Sequence, residues 1–203
     1  MKRNRPLNEE KRKAILKAAT VEFYEKGFEG SSMDTISKKA NVSKATVYNH
    51  FKSKEELFLS IAYMLKDRFS QSFRFEYTKD KSIDEQLNNI AKKEIDFLTV
   101  KENIELIQIV TIVLIQKNEI GVKLLEEVNE DNITMTTNWF EQAHKDGKLN
   151  IDDSEFIARQ FIGMIKAFAF YPQLYGAPLL DKKEQERVIK KSVEMVKSLY
   201  LVK

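Results

Sequence analysis

The residues best suited to chemistry lie in the run Ser43-Lys44-Ala45-Thr46-Val47-Tyr48-Asn49-His50. Lys44, Thr46, Tyr48, Asn49 and His50 carry hydrogen-bonding tips, and no carboxylate stands among them. Such a set suits a partner rich in acceptors and negative charge, as the base edges and phosphates of a DNA groove are. Catalysis finds little support. The chain has no Cys and only two His, His50 and His144. It has no glycine-rich phosphate loop and no His-Glu-x-x-His spacing. No catalytic residue, cofactor or metal ligand is therefore expected.

The elements that must hold these tips are short. Ser31 or Ser32 can cap a helix in which Met33, Ile36 and Ala40 share one face, and Ser31 with Asp34 has capping-box spacing. Asn41-Val42-Ser43 reads as a tight joint: Asn tolerates a left-handed backbone and Ser43 can cap the helix after it. That helix, from Lys44 to Phe51, is too short to stand alone in water, so neighbours must brace it. A braced, exposed, polar helix is what a major groove admits. An N-terminal helix, from about Asn8 to a stop at Gly27, carries the stripe Ile15, Ala18, Ala19 and Phe23 and reads as the scaffold. Another starts at the Ser53/Glu56 capping box and continues through Leu57, Phe58, Ile61, Ala62, Leu65 and Phe69 to about Phe75.

Gly27-Phe28, Ser32-Met33, the run from Val42 to Phe51, and Lys52-Ser53-Lys54-Glu55-Glu56-Leu57 together resemble the DNA-binding domain of TetR-family transcriptional regulators. The match covers roughly the first third of the chain. Asn41 and Ala45 stand where glycine is frequent in that pattern; Asn can adopt the same backbone, and Ala at a helix start is harmless. The resemblance implies an all-α protein, with an N-terminal three-helix helix-turn-helix domain joined by a long helix to a C-terminal helical bundle that dimerises. It implies a basic arm over 1–7, a DNA-binding domain over 8–68 with its helix-turn-helix at about 31–51, and an effector-binding and dimerisation domain over 69–203. From side-chain chemistry, Lys44 and Thr46 are expected at base edges and Ser43 at base or phosphate. Tyr48 and His50 suit phosphate oxygens, and Asn49 on the same exposed face is a further DNA-binding candidate; Ser32 and Lys54, at helix N-termini, would clamp phosphates on either side.

Bulk properties agree. Residues 1–60 hold 13 Lys and Arg against 8 Asp and Glu, a balance of +5, while the remainder has 21 against 23, or −2. The positive excess thus coincides with the motif and favours a polyanionic partner. The N-terminus is basic but has no apolar core of a signal peptide, and no apolar run reaches membrane-spanning length, so a cytoplasmic protein without membrane contact is expected.

Beyond a polar break at 76–81, Ser82 and Glu85 cap a helix to about Val100. Ile104 to Ile115 is apolar nearly all round and reads as a buried helix through the middle of the C-terminal domain. Helical periodicity continues over 119–146, 152–170 and 181–200, with an aromatic-rich stretch near 161–175. Asn132 and Thr136 interrupt an apolar stripe. They are either polar groups satisfied by backbone or water, or the hydrogen-bonding wall of an effector cavity lined by Phe97, Asn132, Thr136, Trp139, Phe161, Met164 and Phe168. The last two helices, about 152–170 and 181–200, can pair with their copies in a homodimer. The expected function is a repressor bound to a near-palindromic duplex operator and released by a small apolar or aromatic effector. The alternative is a ligand-independent regulator whose C-terminal domain only dimerises or docks a protein.

Overall fold

A computed structural model of the chain describes residues 4–116 and 131–202, with side chains over 8–116 and 133–202. Every regular element among the described residues is helical, apart from an isolated antiparallel bridge between Leu149 and Leu201. The chain divides into two compact units, 1–67 with 105–127 and 68–104 with 128–203.

In the first unit α1 (Asn4–Gly30) begins four residues before the expected start, with Pro6 in its first turn, where a missing N–H costs nothing. Helical geometry breaks at Gly27, whose φ of 71° is the left-handed region that glycine enters freely. Two short helices come next, α2 (Met33–Lys39) and α3 (Lys44–His50), then α4 (Lys54–Ser72). Ser32, not Ser31, caps α2, accepting from the Thr35 N–H at 3.1 Å. Ser31 is instead buried and donates back to the carbonyls of Glu22 and Gly27, so no Ser31/Asp34 capping box forms. The joint behaves as its residues dictate. Asn41 sits at φ 53° and Ser43 caps α3 through the Thr46 N–H at 3.1 Å.

The core of this unit joins Ile15, Phe23, Phe28, Ile36, Val47, Phe51, Leu57, Phe58 and Ile61. Phe23, Phe28 and Phe58 meet ring to ring at 5.3–6.0 Å. Part of α6 (Lys101–Ile115) belongs here as well: Leu106, Ile109, Val110 and Val113 join the same cluster. The expectation that α6 runs through the middle of the C-terminal domain is thus corrected. The helix is not buried all round, since Ile112 and Ile115 are exposed, and one apolar stripe is enough to seat it on this core.

The second unit contains the end of α4, α5 (Ile83–Leu98), α7 (Asp131–Lys145), α8 (Ser154–Ala169), the single turn α9 (Tyr171–Leu174) and α10 (Lys182–Tyr200). α4 stops at Ser72, short of the expected Phe75, because Phe73 turns in to stack on Phe69 at 4.0 Å and to meet Phe97 edge-on. Side chains cap three of these helices: Ser82 accepts from Glu85, Asp153 from Phe156 and Asp181 from Glu184. Gly147, at φ 70°, ends α7 with Lys148 N–H donating back to the Ala143 carbonyl. The break expected near Gly121 lies outside the described residues.

Candidate functional site

α3 is held from beneath and open above. Val47 is fully buried in the first unit's core, and Phe51 closes the helix under the guanidinium of Arg12, 5.0 Å from its ring. Lys44, Ala45, Tyr48 and Asn49 face solvent, while Thr46 and His50 are half-buried. α2 braces α3 and is itself pinned to α1 by Lys39, whose ammonium sits 2.9 Å from the buried Glu22 and 2.6 Å from Glu25. Both carboxylates raise the Lys39 pKa and hold it charged.

The hydroxyls divide their work. Ser43 and Thr46 share one hydrogen bond at 2.8 Å while Ser43 also accepts the Thr46 N–H. One of their two O–H hydrogens therefore stays within the cap and the other is left to point outward. Ser32 and Thr35 repeat this arrangement at α2, with a 2.9 Å contact. The side chains of Tyr48 and Asn49 make no hydrogen bond within the chain among the described residues, so both are available. Lys44 reaches across to Asp34 of α2 at 2.7 Å, and both side chains remain more than half exposed. The Asp34 hydrogen bond and charge raise the Lys44 pKa, yet an exposed pair of this kind exchanges readily for another acceptor.

Lys54, expected as a phosphate clamp, is engaged within the chain. Its ammonium donates to the carbonyls of Phe28 (2.7 Å), Ser31 (3.3 Å) and Glu29 (3.4 Å), and lies 4.5 Å from the Phe28 ring centre. The carbonyls left open where α1 ends attract a cation more directly than distant solvent does. Lys54 thereby ties the start of α4 to the end of α1. Half of the expected capping box forms beside it: Glu56 N–H donates to Ser53, while the Glu56 carboxylate accepts from the N–H of Lys52, one residue before the cap.

Neither described cleft gathers the residues expected to line an effector cavity. Phe97 packs against Phe69 and Phe73. Trp139 and Phe161 each flank Phe140, at 5.1 and 6.1 Å. Thr136 is buried, Met164 half-buried and Phe168 50% exposed; the Asn132 side chain lies outside the described residues. Of this set Trp139 alone lines a described cleft, and it lines two. One cleft, of about 480 Å³, runs beside Phe75, Gln86, Asn89 and Ile189. The other, of about 810 Å³, lies between residues 74–78 and α7. Sequence reasoning passed over this wall because 76–81 reads as a polar linker. The signal was the spacing of Met135, Asn138, Trp139 and Gln142, one helical face mixing apolar and amide groups.

A short, braced helix with an exposed polar face, set after a left-handed joint and seated in a three-helix core, defines a helix-turn-helix DNA-binding regulator. Comparison with known proteins narrows the class. Residues 15–61 match the family described as bacterial regulatory proteins, tetR family, and residues 85–202 match the AefR-like transcriptional repressor, C-terminal domain. The chain belongs to the TetR family of transcriptional regulators. It is 30% identical over 203 residues to the HTH-type transcriptional regulator YhgD of Bacillus subtilis, covering 96% of each chain. A TetR-family regulator structure from Pseudomonas syringae pv. tomato is 34% identical, with TM-score 0.79 over 95% of this chain and 97% of that one. AibR, solved with isovaleryl coenzyme A and operator DNA, shares the fold at 23% identity and TM-score 0.65, over 92% of this chain and 97% of its own. No helix among the described residues is long and apolar enough to cross a membrane.

Proposed function

We propose that the chain is a cytoplasmic repressor, acting as a homodimer on a near-palindromic operator and released from it by a small apolar or aromatic effector. The observation that carries the DNA half is the split of α3 into a buried Val47 and an exposed polar face. In this reading a DNA-binding domain spans about 8–68 and an effector-binding and dimerisation domain 69–203. Lys44 and Thr46 read base edges, Tyr48 and His50 bond phosphates, and Asn49 adds a further DNA contact. Ser43 and Ser32 add hydrogen bonds through whatever their caps leave unused. Two-fold symmetry then requires half-sites roughly one helical turn, about 34–36 Å, apart, or a multiple of that spacing.

The dimer would form through about 152–170 and 181–200. In support, α8 exposes Phe156, Ala167 and Phe168, and α10 exposes Leu199. Gly163 has nothing within 4 Å of where a Cβ would stand, so this face admits close approach. Repression accords with the AefR-like description of the C-terminal match, and effector control with the coenzyme A ester and operator DNA in AibR. The burial of Phe97, Trp139 and Phe161 among other rings favours the second reading, a C-terminal domain that only dimerises or docks a protein. Selecting bound sequences from a random duplex pool, then titrating candidate effectors against the selected operator at fixed salt, separates the two. Unchanged operator affinity at saturating ligand would remove the effector step, because a ligand that binds both states equally shifts neither.

A further inference from the structure

We propose that the cleft between residues 74–78 and α7 is a binding site for a flat aromatic carboxylate. This rests on the effector reading above and supplies its ligand class. The cleft, about 810 Å³, falls within the range of small-molecule sites. Its aromatic walls are fixed and turned to one use. Tyr77 O–H donates to Asp146 at 2.7 Å and Trp139 Nε1–H to the buried Gln86 amide at 3.2 Å, with the two rings 5.8 Å apart at 68°. Trp139 is only 2% exposed and backs the wall, so the ring surface open to a ligand is that of the half-buried Tyr77 and Phe75, which favours a flat aromatic body.

The polar lining is in the opposite condition. Arg74, Asn138 and Gln142 line the cleft, and their side chains have no hydrogen bond or ion pair among the described residues. Asn138 and Gln142 stand one turn apart on the face of α7 that also carries Met135. Charge then selects the ligand. Arg74 is the cation lining this cleft, so a carboxylate must sit at the Arg74 end, away from Glu76, which lines both this cleft and the neighbouring one beside Lys92 and the Lys81–Glu85 pair. A carboxylate meets the guanidinium fork in two parallel hydrogen bonds, and the amides bond substituents on the ring.

The segment is also built to register an occupant. Gln86 holds Thr78 through both backbone groups, at 2.8 and 2.9 Å, while accepting from Trp139. Lys79 pairs with Asp146 at 2.6 Å. A ligand that displaces Trp139 or Tyr77 therefore pulls on the stretch that directly succeeds α4.

Trp139 is the only Trp, so its indole N–H gives one assignable resonance in the full-length protein. Titration with 2-naphthoate should move that resonance saturably, at about tenfold lower concentration than the neutral 2-naphthamide. Arg74→Gln, at an exposed position, should erase the difference between the two probes. Asn138→Ala should weaken both. An indole signal unmoved by saturating naphthoate, equal response to both probes, or an Arg74→Gln protein indistinguishable from wild type would each overturn the site. Saturable binding without loss of operator affinity would leave the site standing and remove the effector step. Operator release by naphthoate with an unmoved indole would do the reverse.

Discussion

The two units of this chain treat buried polar groups differently. In the first, Ser31 and Ser37 donate to backbone carbonyls and Lys54 closes three carbonyls near the end of α1. Among the described residues there, the one buried side-chain oxygen without a well-formed hydrogen bond, Glu22 Oε2, still has Lys39 at 2.9 Å. In the second, both oxygens of the fully buried Glu94, and the hydroxyls of Thr137 and Ser192, have no hydrogen-bond partner among the described residues. Lys166 comes only to 3.8 Å of Glu94, and open clefts lie beside Trp139. A surface that must match the spacing of a rigid duplex gains from a scaffold with little alternative packing. Unsatisfied groups and clefts leave a unit nearer to other arrangements, which is what a ligand needs in order to shift a population.

The largest effect should come from opening the first unit's core. Phe58→Ala removes a fully buried ring that touches Phe23 and Phe28, and should cost about 3–5 kcal/mol in urea unfolding. Phe161, equally buried, has Phe140 as its described ring neighbour, so Phe161→Ala should fall at the lower end of that range. Equal losses would break the contrast in packing. Next in size, Glu94→Gln should stabilise. Burial raises the Glu94 pKa in the folded chain, with the attraction of Lys166 opposing it only in part. The native state thus holds this proton more tightly than the unfolded one. Its contribution to stability is complete below the ordinary carboxyl pKa and is lost as pH rises through the folded value. At pH 7 the substitution should gain about 1–3 kcal/mol, or about 2–4 °C in Tm per kcal/mol, and the gain should vanish in acid. A Tm that falls instead would show Glu94 to be well paired.

The same contrast governs what the sequence disclosed. The helix-turn-helix was legible because its determinants are local: Ser43 caps its own helix, Asn41 sets its own backbone, and Val47 marks the inward face. The internal contacts of Lys54 were not legible because its acceptors lie more than twenty residues away, at and just past the end of α1, and no local rule brings them near. The surroundings of the residues expected around a cavity were illegible for a related reason. Apolar spacing says that Phe97, Trp139 and Phe161 face inward, but not whether rings from other helices fill the space between them. α6 shows the same limit: apolar residues on several sides did not say which unit would take its stripe.

Lys54→Met should cost about 1 kcal/mol of stability, discounted for the half-exposed side chain, while leaving the salt dependence of operator binding unchanged. A phosphate-bound Lys54 would behave oppositely, lowering the salt slope by about one. That single comparison decides whether the residue belongs to the scaffold or to the interface.

The smallest effect should be the most discriminating. Tyr48 is 43% exposed and its hydroxyl makes no hydrogen bond within the chain among the described residues, so Tyr48→Phe removes one donor without disturbing the core. If its hydroxyl bonds a phosphate, affinity should fall about threefold to tenfold for the operator and for unrelated duplex alike, with the salt slope intact because no charge is lost. Lys44→Gln should instead relax the preference at one base position and reduce the slope, once the lysine has exchanged Asp34 for DNA. A Tyr48→Phe protein that changes its base preference would move Tyr48 from the positioning contacts to the reading ones. The reading face of α3 would then extend one full turn beyond Lys44.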